Sequence, residues 1–179
     1  MVAPHMVTPP QRTHRTERGA AAVEFALVVP LLLMMLFGTI TTGLTFADHL
    51  SATNAVREAA RYGAAADVGS AGWAASVKDR LTQVYFNAGE TVNDDQVCVR
   101  LVQAGGTAPA GPQFAHTGAN CGPAPALPSN MAAGSCAVLV WMQRPQTIRP
   151  LMIPDLNFMT RAESVAYYGR VAGTTCTAL

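Results

Sequence analysis

The sequence is short of charge, short of aromatic side chains, and without cysteine over its first half. Lys, Arg, Asp and Glu together make up 13% of its 179 residues, about half the share of a typical soluble domain. With a mean hydropathy of +0.21, that scarcity excludes a highly charged disordered chain and counts against an ordinary cytosolic enzyme. The net charge of +1 supplies no electrostatic footprint for nucleic acid. Aromatics reach only 7%, while 15 Gly and 12 Pro imply many loops. Catalytic signatures are missing too: no G-x-S-x-G, no H-E-x-x-H and no phosphate-cradling glycine loop occurs. No internal repeat is visible, and the length suits one domain.

The most informative absence lies between Phe25 and Ala47, where 23 consecutive residues carry no charge. As a helix this run spans about 34 Å, against about 30 Å of bilayer hydrocarbon. A core helix of a soluble protein is rarely so long and apolar on every face, so the run predicts a transmembrane helix. Before it, Met1–Arg18 shows no hydrophobic period and contains Pro4, Pro9 and Pro10, as expected of a flexible tail. Arg12, Arg15 and Arg18 stand on that side against Glu17 alone. The positive-inside rule then places the tail in the cytoplasm and the 132 residues after Ala47 outside. That outer part holds nine basic and nine acidic residues and is neutral.

Glu24 begins the apolar stretch. A carboxylate beside hydrocarbon costs a few kcal/mol unless it is paired or interfacial. Its neighbours give it a second reading. Arg18-Gly19, four small or apolar residues, then Glu24-Phe25 and the apolar run resemble a type IV prepilin-peptidase site, cut after the glycine. Ala20 would become the new N-terminus and Glu24 the fifth residue of the mature chain. The new α-amino cation and the carboxylate of a neighbouring subunit could then neutralise each other among packed apolar helices. Glycine leaves the backbone at the cut unobstructed.

With that motif in place, the stretch Arg15–Phe46 (RTERGAAAVEFALVVPLLLMMLFGTITTGLTF), followed by ATNAVREAARYGA from Ala52 to Ala64, resembles the TadE-like family, pseudopilins of tight-adherence (Flp-type) pilus systems. The likeness covers roughly the first 65 residues. It implies a minor, pilin-like assembly component without enzymatic activity. It also implies the partners: other pilin or pseudopilin subunits, the pilus assembly platform and a prepilin peptidase; the apolar run adds a lipid bilayer, and the net charge of +1 leaves no nucleic acid expected.

Beyond the span, Ala52, Ala55, Val56, Ala59 and Tyr62 recur at helical spacing, so one helix is expected from about Ala20 to Ala66, kinked at Pro30. Thr39 and Gly43 form a small-x3-small pair that could serve helix packing or be incidental. Asp67–Gly72 reads as a turn, with Ser70 the expected N-cap of a second helix over 71–86. The apolar face of that helix would be Trp73, Val77, Leu81, Val84 and Tyr85, and Asn87-Ala88-Gly89 would end it. Val97–Val102 and Ser135–Met142 read as strands. Gly105–Asn130 reads as a long exposed loop, Pro145, Pro150 and Pro154 as punctuation of a connection, and 156–168 as either strand or helix. The fold expected is α+β: a long N-terminal transmembrane helix extending outward, then a small extracytoplasmic domain with a second helix and an antiparallel sheet. In domain terms, 1–19 is a basic cytoplasmic leader, 20–47 the transmembrane helix and 48–179 the outer pilin-like domain.

Cys98, Cys121, Cys136 and Cys176 all fall in that outer part, where an even count reads as disulfides. Three connectivities are open. Cys121 could tether the loop to Cys136 or Cys98, and Cys176 could pin the C-terminal tail. Their spacings contain no C-x2-C pair, so no metal site is expected, and no cofactor. His5 and His14 fall in the tail, His49 at the membrane boundary and His116 in the loop, none beside a nucleophile. Asp94-Asp95 reads as a solvated pair in a turn. Two other readings compete with processing at Gly19, Ala20, Glu24 and Phe25. One is an uncut single-span anchor for a binding module. The other is a secreted domain cleaved after Ala47, against which the apolar run is longer than a signal peptide's.

Overall fold

The structure, a computed structural model, describes residues 15–105, 109, 111–148, 155–168 and 176, with side chains described from residue 19 onward. The chain divides into two compact units, Met1–Ile40 and Thr41–Leu179. Helix α1 runs Arg15–Ala65, 51 residues with Pro30 inside it. It starts five residues before the expected Ala20, so Arg15–Gly19 is helical rather than part of an irregular tail. Within α1, Gly19–Ala65 qualifies by length and hydropathy as a candidate membrane span and shows no burial across its most apolar window. Among the described side chains of the first unit, Phe25, Leu27, Leu31, Met35 and Phe37 are exposed apolar groups.

The second unit is built from the last turns of α1, helix α2 (Trp73–Asn87) and a four-stranded antiparallel sheet. The strands are β1 (Val97–Gln103), β2 (Ala115–Thr117), β3 (Cys136–Ile148) and β4 (Leu156–Tyr168), in the order β2-β1-β3-β4. Period-two alternation sorts each strand onto two faces. Val97, Val99 and Leu101 of β1 join Val138, Val140 and Met142 of β3 in one core, with Ala52, Ala55, Val56 and Ala59 of α1 and Trp73, Val77 and Leu81 of α2. The register Val99↔Val140 and Leu101↔Val138 sets these residues side by side. The opposite face carries a smaller cluster, Cys98, Ala137, Leu139 and Trp141, with Cys121, Leu127 and Met131 from the 118–134 segment packed on it.

Several elements differ from expectation. Tyr62 is 41% exposed, and Ala60 and Gly63 take its place on the buried face. Alanine and glycine let α1 come close: a Cβ on Gly63 would sit 2.9 Å from Val77 Cγ2 and 3.0 Å from Val138 Cγ1. Ser70 does not cap α2. Its Oγ donates to the Asp67 carbonyl at 2.8 Å, and Gly72 takes the N-cap position at φ 88°, a left-handed conformation glycine adopts without steric cost. Gly105–Asn130 is not all loop, because Ala115–Thr117 pairs with Arg100–Cys98 of β1. Pro145 lies inside β3, opposite Met159. Beyond Met142, β3 has no β1 partner, so the missing N–H leaves no ladder bond unmade on that open edge. The segment 156–168 is a strand, paired with β3 along its whole length; Pro150 and Pro154 lie outside the described residues.

Candidate functional site

Gly19, Ala20, Glu24 and Phe25 all lie on α1 and are exposed. Ala20 and Glu24 are four residues apart, so their side chains share one face of the helix. Nothing stands within 4 Å of a Cβ placed on Gly19. The helix is continuous through the Gly19–Ala20 bond, so any protease that cuts there must first unwind this turn. Phe25 is 71% exposed and opens the apolar surface that continues to Ala47.

A second polar site occupies the other end of the apolar run, and sequence reasoning missed it. Asp48 is the first charge after Ala47. Its carboxylate accepts hydrogen bonds from the Tyr85 hydroxyl of α2 and from Gln146 Nε2 of β3. Arg144 Nη1 donates to Asp48 Oδ1 at 3.2 Å, to Glu90 Oε2 at 3.2 Å and to the Tyr85 oxygen. Its guanidinium carbon also lies 5.6 Å from the Tyr85 ring centroid, within cation–π range. The placement follows from strand parity: Val138, Val140, Met142, Arg144 and Gln146 face one way along β3. The apolar part of that row meets the helices, and its polar end meets Asp48. Burial pushes the Tyr85 hydroxyl well above its ordinary range, reinforced by the Asp48 carboxylate. Burial opposes the charge on Arg144, but Tyr85, Asp48 and Glu90 outweigh it and hold the guanidinium more firmly protonated. Asp48 directly after an uncharged run was the available cue. Its partners lie 37 to 98 residues away and leave no local signal.

The cysteines pair as Cys98–Cys121 and Cys136–Cys176. The first fastens the 118–134 segment to the sheet face it covers. The second ties residue 176 to the start of β3. Trp141 Nε1 donates to the Gly122 carbonyl at 3.2 Å and Arg161 Nη2 to the Pro123 carbonyl at 2.8 Å, closing the same segment down.

Asp94 and Asp95 sit in a short 3-10 turn, Asp94–Gln96. Asp94 pairs with Lys78 Nζ at 2.7 Å, and the hydrogen bond from Lys78 lowers its carboxyl below the usual range. Asp95 Oδ2 accepts from Asn120 Nδ2 at 2.6 Å. His116, expected in a loop, is on β2, its Nε2 3.2 Å from the Asp94 carbonyl oxygen. His49 is exposed on α1; His5 and His14 lie outside the described residues. Among the described residues, no three His, Cys, Asp or Glu side chains gather as metal ligands would.

Compared with known proteins, the chain matches no curated protein and no solved structure. Its N-terminal helical segment does match a family: residues 19–61 fit the model of the TadE-like protein family.

Proposed function

We propose that this chain is a membrane-anchored, non-enzymatic pseudopilin of a tight-adherence pilus system, cut by a prepilin peptidase between Gly19 and Ala20. The observation that carries the reading is the TadE-like match over residues 19–61, which takes in Gly19, Glu24, Phe25 and the whole apolar run. The arginines on the N-terminal side favour a cytoplasmic leader. Two disulfides favour an oxidising, extracytoplasmic compartment for the rest.

In this reading α1 anchors the subunit and supplies its packing surface. The Ala20 amine, once freed, is neutralised by Glu24 of an adjacent subunit, which removes two isolated charges from an apolar interface. The partners are the bilayer, other pilin or pseudopilin subunits and the assembly platform. The test is complementation of a host strain that lacks the protein. Wild type is expected to restore pilus-dependent attachment. Glu24→Ala is expected to reach the membrane in equal amount without restoring it. Full restoration by Glu24→Ala would remove the pilin role of that carboxylate.

A further inference from the structure

The Thr41–Leu179 unit has a direction. On α1, Gly63 approaches Val138 of β3 and Asp48 bonds Gln146 of β3. Eight strand residues span about 26 Å and fifteen helical residues about 22 Å, so β3 runs alongside this part of α1 in the opposite sense. Helix α2 does the same: Trp73 Nε1 bonds the Gly63 carbonyl and Tyr85 bonds Asp48. The unit therefore has a Gly63 end and an Asp48 end. The Asp48 end is where the apolar run of α1 stops.

Exposed large apolar side chains are not shared evenly between the two ends. In the Thr41–Leu179 unit, outside the apolar run and Leu50 just after it, those among the described residues are Tyr62, Phe86, Leu156, Phe158, Met159 and Tyr167. Tyr62 is next to Gly63, and Tyr167 pairs with Ala137, so both tyrosines are at the Gly63 end. Phe86 follows Tyr85, Phe158 pairs with Gln146, Met159 with Pro145 and Leu156 with Ile148. All four residues without a polar atom thus gather at the Asp48 end. The β3–β4 ribbon continues past Gln146 to Ile148 and its partner Leu156, in the direction in which α1 leads back through Ala47 to Thr41. On that stretch of α1, Thr41 and Thr45 are half-buried on the face shared with Asp48, while Thr42, Gly43, Leu44, Phe46 and Ala47 are exposed.

We propose that the Asp48 end of this unit rests on the bilayer, with Phe86, Leu156, Phe158 and Met159 entering the interfacial layer of a phospholipid membrane beside the helical span. These four residues lie at the end of the unit where the apolar run of α1 stops, which is what selects lipid as their occupant, and the inference rests on reading Phe25–Ala47 as that span. The Asp48–Arg144–Tyr85 cluster then lies at the boundary and keeps its charges paired where hydration is reduced. Two contacts rather than one would then hold the Thr41–Leu179 unit to the bilayer.

The test uses the full chain in vesicles of phosphatidylethanolamine with phosphatidylglycerol as minor lipid. The described cysteines are all in disulfides, so an introduced cysteine is the one free thiol and takes a spin label. Met159→Cys and Tyr167→Cys replace side chains of equal exposure, 53% each, at opposite ends; Leu36→Cys reports the span. The expected result is a several-fold higher ratio of oxygen to aqueous nickel-complex accessibility at 159 than at 167, with 36 the most lipid-like. Equal, aqueous values at 159 and 167 with a lipid-like 36 would overturn the inference while leaving the span intact. An aqueous value at 36 would overturn the span and the inference together. An apolar signal at 159 that grows with protein density would overturn it in favour of contact between copies.

Discussion

Replacing Gly63 with alanine sets two effects of known size against each other. In an unpacked helix the change is favourable by about 1 kcal/mol, because glycine surrenders the most backbone freedom. In this helix the new Cβ would meet Val77 Cγ2 at 2.9 Å, Val138 Cγ1 at 3.0 Å and Trp73 Cζ2 at 3.4 Å. Both valines are fully buried, and a β-branched side chain has few rotamers into which it can yield. Overpacking of this kind costs about 1–3 kcal/mol. Moving α1 outward instead would stretch the 3.0 Å bond from Trp73 Nε1 to the Gly63 carbonyl, worth about 1 kcal/mol. Two contacts at or below 3.0 Å put this site in the upper part of the overpacking range, about 2–3 kcal/mol. The steric cost therefore wins, for a net loss of about 1–2 kcal/mol once the propensity gain is counted. For a chain of this size that lowers Tm by about 2–8 °C. The assay is thermal unfolding of the full chain in detergent micelles, followed by Trp73 and Trp141 fluorescence. Gly43→Ala, on the same helix with nothing within 4 Å, is the control and is expected to be neutral or slightly stabilising. Adding Val77→Ala to Gly63→Ala should cost less than the two single losses combined. A Tm for Gly63→Ala at or above wild type would refute the close approach of α1, α2 and β3.

Three further outcomes follow from the same geometry. Arg144→Ala leaves Asp48 and Glu90 without their shared cation and is expected to cost about 2–3 kcal/mol; a change under about 0.5 kcal/mol in urea unfolding, the range of an ordinary surface substitution, would contradict the cluster. Removing Cys98–Cys121, which closes 23 residues, is expected to cost about 3 kcal/mol, and Cys136–Cys176, which closes 40, about 4 kcal/mol; serine pairs measured by the same unfolding would contradict this if the 40-residue closure proved the weaker. The Lys78–Asp94 pair has Asp94 lowered and Lys78 raised, each through the hydrogen bond between them. Its contribution is therefore present above the ordinary Asp pKa and below the ordinary Lys pKa. It is lost as pH falls through the lowered Asp94 value or rises through the raised Lys78 value. Asp94 is 67% exposed, so screening keeps the effect below about 1 kcal/mol; Lys78→Met should flatten the stability profile at both extremes, and an unchanged profile would show the pair to be inert.

What could be read in the sequence was whatever a local pattern specifies. The uncharged run of α1, the apolar face of α2 and the alternation of Val97, Val99 and Leu101 are each written within a few turns or residues. The rest depends on partners far along the chain. Ala115–Thr117 is a strand because β1 offers an edge, not because Ala-His-Thr has strand character. Pro145 stays in β3 because its neighbour on one side has ended, which no local rule reveals. The 156–168 segment suited strand or helix until thirteen residues of β3 paired with it. Ser70 had the chemistry of a cap, but a glycine able to adopt positive φ stood nearer the helix. The disulfide pairing could not be chosen from spacing, since all three connectivities close loops of acceptable length. The Asp48 cluster joins three elements and was invisible for the same reason. The match over residues 19–61 falls on a segment whose pattern is contiguous and so could be read locally.

The most direct test of the central claim is the N-terminal sequence, with intact mass, of the protein purified from membranes of its native host. A start at Ala20 is the result predicted for a TadE-like pseudopilin processed after Gly19. A chain that retains Met1 would contradict processing and leave a plain membrane anchor. A chain that begins at Asp48 would contradict the anchor itself and make the protein a secreted domain.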